Sequence, residues 1–285
     1  MELDRASVMW RYAGDARMLP FLGRAFLLQA AHPTIAAGVA DHSNFKVDPF
    51  GRFRRSWGLV LDALYAADSE RVAAEIRASH KPIRGVRSDG RRYTAFEPEA
   101  YFWVLASGFE TIVSAAQRFG RPFSAAEERR GYEETRELGR RLGLRERDMP
   151  ASYESFQDWY AWMLAERIDD NQTVRDVLAV LRRPNPPRGV PQVMWPLPRA
   201  AVAELGWVAT VGTLPASVRA RLRIPWSAID EIRLRAIAQA FKLLNAAPAS
   251  VFYLPTARAA FKRVDADALA VPGARGARSA GQMVA

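Results

Sequence analysis

The sequence predicts an all-α fold, a single multi-helix domain, and three observations lead there. Apolar residues recur mainly at the helical spacing of three and four rather than in alternation. No run of β-branched residues is bracketed by hairpin turns. Hydroxyl or carboxylate residues stand just ahead of several periodic stretches, where they can cap free amide groups.

In chain order, a first short helix is expected over residues 6–12 and a long one over 18–39. The second contains the longest charge-poor stretch, 25–40, which Gln29, His32 and Pro33 interrupt. It is short for a membrane span and reads as a buried core helix, kinked where Pro33 removes a backbone donor. A polar loop, Asp41-His-Ser-Asn, leads to a helix over 51–65. Asp68 then caps a helix over 69–79, which Pro82 keeps from continuing. Helices over 98–119, 125–142 and 153–167 follow, the last two behind Ser124 and Ser152. A helix over 173–181 precedes a connector, 182–198, that holds six prolines and has no periodicity. Helices over 199–211, 215–222 and 227–244 complete the domain, with a short last one over 255–262. From about Asp265 the chain turns to Ala, Gly, Arg and Ser, so residues 1–265 are read as the domain and 266–285 as a disordered tail.

Composition excludes several chemistries. With 49% hydrophobic and 25% charged residues the chain is globular. It has no cysteine, which rules out disulfides, thiolate metal sites and thiolate-ligated haem. The charge of +10 comes almost entirely from dispersed arginine interleaved with acids, with lysine only at 46, 81, 242 and 262. No concentrated basic face emerges, so nucleic-acid binding is not expected. The first ten residues include Glu2, Asp4 and Arg5 and lack an apolar core, which leads us to expect a cytoplasmic location without stable membrane insertion. Phosphate-binding, dinucleotide-binding and serine-hydrolase motifs are missing. No Glu-x-x-His pair offers a carboxylate-bridged di-iron site.

The three histidines, at 32, 42 and 80, are therefore the main candidates for a transition metal or a haem iron. His80 ends a helical segment and is flanked by Arg77 and Arg84, which suit carboxylates such as haem propionates. The plain alternative is a helix C-terminal histidine favoured by the dipole there. His32 stands among small residues at 30, 31, 36, 37 and 38, room that more often serves helix packing than a flat macrocycle. His42 reads as part of a turn.

Gly14-Asp15, the block Leu28-Gln-Ala-Ala-His-Pro-Thr-Ile-Ala-Ala-Gly-Val-Ala-Asp-His-Ser-Asn-Phe45, Asp48-Pro-Phe-Gly-Arg52, Ile76-Arg-Ala-Ser-His80 and Gly90-Arg-Arg-Tyr-Thr-Ala-Phe-Glu-Pro98 with Trp103 follow one another in order. Together they resemble the bacterial branch of the MpaB-type oxygenase and rubber oxygenase (latex-clearing protein) family, over roughly residues 5–265. The resemblance implies an all-helical fold that binds haem b through histidine and uses dioxygen. It makes His80, in its Arg-x-x-His setting, the proximal iron ligand. Rubber oxygenases carry Arg-x-x-Lys-Thr on the distal helix; the helix compared here has Arg24-Ala-Phe-Leu-Leu and then His32. His32 then either replaces the distal lysine, binds iron as a sixth ligand or hydrogen-bonds a bound ligand.

The expected function is a haem-dependent oxygenase acting on an apolar small molecule, an isoprenoid or aromatic metabolite. In it His80 binds iron, His32 and Arg24 polarise or protonate oxygen, and Arg77, Arg84 or Arg52 hold the propionates. The alternatives are a non-catalytic haem binder or sensor with both His80 and His32 on iron, a peroxidase-like activity, and a helical binding module without cofactor.

Overall fold

Caps and prolines set where the helices begin. Ser124 Oγ accepts from the Glu127 amide at 3.3 Å while the Glu127 carboxylate accepts from the Ser124 amide at 3.0 Å, a reciprocal pair that starts one long helix. Asp68 accepts from the Arg71 amide at 3.0 Å and starts another. Ser227 and Asp230 repeat the reciprocal pattern near the C-terminus.

The computed structural model describes residues 6–270. Its helices are α1 Val8–Ala13, α2 Leu22–Ala31, α3 Pro33–His42, α4 Pro49–Tyr65, α5 Ser69–His80, α6 Pro98–Phe119 and α7 Ala125–Arg141. They continue as α8 Tyr153–Trp162, α9 Gln172–Arg182, α10 Pro196–Gly212, α11 Ala216–Arg221, α12 Ala228–Leu244 and α13 Pro255–Ala270. Two three-residue strands, β1 Arg84–Val86 and β2 Arg92–Thr94, pair antiparallel with Gly85 opposite Tyr93. Among the described residues no helix is long and apolar enough to cross a membrane.

Helix α6 is the axis of the molecule. Its apolar side chains are buried along most of its length. α2 lies along it, and α7, α12 and the 3₁₀ segment Ala16–Phe21 pack around it. A cluster of aromatic rings joins it to α7 and α8: Phe109 stands 5.7 Å from Phe156, and Phe156 stacks on Tyr132 at 4.6 Å. On one flank α4 packs on α5, α1 and α13. On another, α10 joins α2, α9 and α12.

The all-α prediction holds, with four local differences. The single helix expected over 18–39 is three pieces: the 3₁₀ segment, α2 and α3. Pro20 and Pro33 cannot donate, and His32 takes an extended conformation between α2 and α3. The hairpin was not foreseen, because its strands are too short for alternation to register. It is held by Gly90 at φ +81° in its turn and by buried Tyr93, whose hydroxyl donates to Asp41 at 2.5 Å. α10 starts at Pro196, since proline fits the first helical turn. α13 runs to Ala270, past the expected helix end at 262 and the expected domain end at 265. The rest of the expected tail, 271–285, lies outside the described residues.

Candidate functional site

His80 is the last residue of α5 and is partly exposed. Its Nδ1 lies 2.7 Å from the Ile76 carbonyl oxygen. A carbonyl can only accept, so Nδ1 is the donor of this bond, and Nε2 is the ring nitrogen left to face a ligand. Metal-ligating histidines are commonly oriented by such a bond, which sets the tautomer and raises the basicity of the free nitrogen. The His80 ring meets the edge of Tyr101 on α6, centroids 5.9 Å apart. The Tyr101 hydroxyl is buried without a hydrogen-bond partner. Burial raises its pKa, and the nearby Arg77 guanidinium opposes that rise.

Tyr101 also lines a cavity of about 340 Å³, together with Phe96, Pro98, Leu142, Leu144 and Arg77. Arg77 comes from α5, one turn before His80, and donates to the Arg141 carbonyl at 2.5 Å. The structure thus brings His80, Arg77 and Tyr101 together. Arg84 lies close in sequence but is exposed on β1, at the outer hairpin.

The helix that packs along α5 is α4. Arg52 there donates from Nε to Ser43 Oγ at 3.1 Å and from its terminal nitrogen to Ser56 Oγ. Arg55 reaches Asn44 Oδ1 at 3.0 Å and Asp48 Oδ2 at 3.4 Å. Burial, and after it the neighbouring Arg55 charge, lowers the Arg52 pKa. Arg55 and Ser56 escaped the sequence reading, although the spacing Arg52-Phe-Arg-Arg55-Ser56 was there to be read.

His32 is placed elsewhere. It is buried at the break between α2 and α3, with Nε2 3.3 Å from Glu99 Oε1 and Nδ1 buried without a partner. The same carboxylate oxygen accepts from Arg167 at 2.8 and 2.6 Å. The His32 bond, then Arg167, holds the Glu99 carboxyl below its ordinary pKa against the opposing effect of burial. Glu99 and Tyr101 are two positions apart on α6, about 200° around the axis. His32 and His80 therefore meet different faces of α6 and are not brought together.

Arg24 is also buried, on α2 about 12 Å along the helix from His32. It donates to Thr111 Oγ1 at 3.4 Å and stands 3.8 Å from Glu110 Oε1. Burial raises the Glu110 pKa, and Arg24 opposes that. Arg24 thus sits as a counter-charge between α2 and α6, away from the α4–α5 pair. His42 ends α3, exposed to solvent.

Among the described residues no group of three or more His, Cys, Asp or Glu side chains is arranged to hold a metal ion. What the α5 end offers is one imidazole against Tyr101, whose other side lines a mixed cavity of apolar residues with Arg77, Arg145 and Asp148. No curated protein and no solved structure matches the chain. Residues 10–243 match the family model described as ER-bound oxygenase mpaB/B′/rubber oxygenase, catalytic domain, so with most of its length covered the chain belongs to that oxygenase family.

Proposed function

We propose that the protein is a haem b-dependent oxygenase that acts with dioxygen on an apolar small molecule, and that His80 is the proximal iron ligand. The observation that carries this reading is the His80 Nδ1 to Ile76 carbonyl bond at 2.7 Å, which orients the ring and leaves Nε2 as the nitrogen available to iron. A haem would fit this donor set, because His80 would be the one imidazole the protein needs to provide to hold it.

The haem would supply the iron at which dioxygen is activated. The chain's own residues bind, orient and protonate. Arg77, at the cavity wall one turn before His80, offers its guanidinium to a propionate. The Tyr101 hydroxyl, buried and unpartnered, is a second donor on the same side. Phe96, Pro98, Leu142 and Leu144 give one part of the cavity an apolar lining on which an isoprenoid or aromatic group could rest, while Arg77, Arg145 and Asp148 make the rest polar.

The distal polar set is assigned to α4 rather than to Arg24 and His32. Arg52, Arg55 and Ser56 reproduce the spacing of the rubber-oxygenase Arg-x-x-Lys-Thr pattern, with arginine for lysine and serine for threonine. They lie on the helix packed against α5. Two guanidiniums there stabilise negative charge that develops during reaction, and the Ser56 hydroxyl, already bonded to Arg52, passes a proton. Arg24 and His32 keep partly buried carboxylates in place. Arg84, on the exposed hairpin, is left as an outer contact for a propionate.

The test is the visible absorption spectrum of the protein expressed with adequate haem supply, compared with His80→Ala. A Soret band in the wild type that the variant loses supports the assignment. A band that survives in His80→Ala but not in His32→Ala moves the ligand to α2. No band after haem titration overturns the haem reading.

A further inference from the structure

The connector between α9 and α10 carries the largest apolar exposure near a cationic rim. Val193 is 85% exposed, Met194 66% and Leu197 87%, and Val47, from the α3–α4 loop, is 76% exposed. Apolar side chains at such exposure, several together, mark a surface meant for contact.

Two ties hold these residues out. Trp195 is buried, donates from Nε1 to the Pro184 carbonyl at 2.7 Å and packs edge-on against Phe50 at 5.8 Å. Asn185 donates to the carbonyls of Lys46 at 3.0 Å and Val47 at 3.3 Å, joining the connector to the α3–α4 loop. With Trp195 turned inward, its neighbours Val193, Met194 and Leu197 project from a braced platform.

The charge along the connector itself is positive, and Asp48 on the adjoining loop is paired with Arg188. Between Asp176 and Glu204 the chain contains no acidic residue but has Arg182, Arg183, Arg188 and Arg199. Arg182 lies over the Trp207 ring at 3.5 Å, and Arg188 reaches Asp48 at 3.2 Å while staying largely exposed. Among the described residues neither Arg183 nor Arg199 is paired with an acid. Apolar prongs within a cationic rim complement the phosphates and acyl boundary of an anionic bilayer.

We infer that this surface docks the protein on an anionic lipid bilayer, with Val193, Met194 and Leu197 entering the acyl boundary and Arg183, Arg188 and Arg199 meeting the headgroup phosphates. This is peripheral attachment, distinct from a spanning helix. It rests on this surface alone and is independent of the haem chemistry proposed above.

The test is co-sedimentation of the full chain with phosphatidylcholine vesicles that contain or lack phosphatidylglycerol, at low and high salt. Binding is expected only with phosphatidylglycerol and weakens as salt rises. The double variant Val193→Asp/Leu197→Asp should lose at least about tenfold in partitioning, the loss expected when apolar burial is forfeited. Arg183→Glu should weaken binding in the same direction, and both variants should melt like the wild type because Arg183, Val193 and Leu197 face solvent. Leu197→Trp should show a blue-shifted emission on addition of the anionic vesicles. Three results would overturn the proposal: no binding to anionic vesicles, binding that Val193→Asp/Leu197→Asp leaves unchanged, or a wild-type dimer that Leu197→Asp dissociates without any vesicle binding.

Discussion

Arg24 is the side chain whose role the structure changes most, and Arg24→Met tests the change. Methionine keeps most of the packing and removes the guanidinium, leaving Glu110 with Ser114 Oγ, 3.0 Å away, as its hydrogen-bond donor. Breaking a fully buried ion pair by deleting one partner costs about 3–5 kcal/mol. Here the pair is 3.8 Å apart and Glu110 keeps 23% of its side chain exposed, so water relieves part of that penalty. We expect about 2 kcal/mol, or a fall in melting temperature of roughly 4–8 °C for a domain of this size. The penalty must depend on pH. Burial raises the Glu110 pKa above its ordinary 4.5, so the folded state binds that proton more readily than the unfolded state. Its contribution is fully present below the unfolded pKa and is lost as pH rises through the folded value. Removing Arg24 raises the folded value further, so the variant should differ less from wild type at a low pH, where Glu110 is protonated, than at a high one, where it is ionised. Urea denaturation at both pH values measures this, with Arg24→Met/Glu110→Leu as the closing corner of the cycle. The double variant should recover most of the loss. An Arg24→Met protein as stable as wild type at high pH, or a double variant less stable than the single one, would refute the counter-charge role.

Three further outcomes follow from other parts of the molecule. A Cβ at Gly14 would fall 2.4 Å from both Ala257 Cβ and Tyr65 Oη, so Gly14→Ala should cost about 2 kcal/mol in a thermal melt, by forcing α1 away from α13 and α4. The Glu127 carboxyl is held at about 2, first by the Ser124 amide and then by Arg121, so its contribution is present above its ordinary 4.5 and is lost as pH falls toward 2. Ser124→Ala should cost about 1 kcal/mol near neutral pH through the lost hydroxyl cap while the acid limb of the stability curve stays, because the amide and Arg121 remain on Glu127, read by denaturation across that range. In protein loaded with haem, Arg55→Ala and Ser56→Ala should keep the Soret band while changing cyanide affinity by about tenfold, since these groups would act on a bound anion rather than hold the haem.

Helices with strong periodicity and a capping residue were legible in the sequence. α5, α6 and α7 form within a residue or two of their expected bounds because Asp68, Pro98 and Ser124 fix their starts locally. The break at His32 was read as a kink, since sequence shows that Pro33 lacks a donor but not which distant group will satisfy the carbonyls it frees. The hairpin was invisible because Tyr93 is the only buried residue of its two short strands, held by Asp41 from another element. At the site, His80 stood out as a helix end before Pro82, whereas its bond to Ile76 depends on a rotamer. His32 drew attention as one of three histidines, and Arg24 through the resemblance to the rubber-oxygenase distal helix. Their partners, Glu110 and Glu99, come from α6, and such pairing is a tertiary matter that spacing along one helix cannot reveal.

The break between α2 and α3 bears on how the chain reaches its fold. The carbonyl of Ala31 accepts from the Asp169 amide at 2.8 Å, that of Ala30 from Asn171 Nδ2 at 3.0 Å, and that of Ala36 from Thr173 Oγ1 at 3.1 Å. Three acceptors in the first forty residues thus wait for donors that emerge from the ribosome more than a hundred residues later. Contacts so distant in sequence carry a loop-closure cost before they return any stability, and they slow the step that needs them. The corner is therefore a late event in folding. A nascent chain released before residue 173 would hold α2 and α3 as separate helices with their shared corner still open to water.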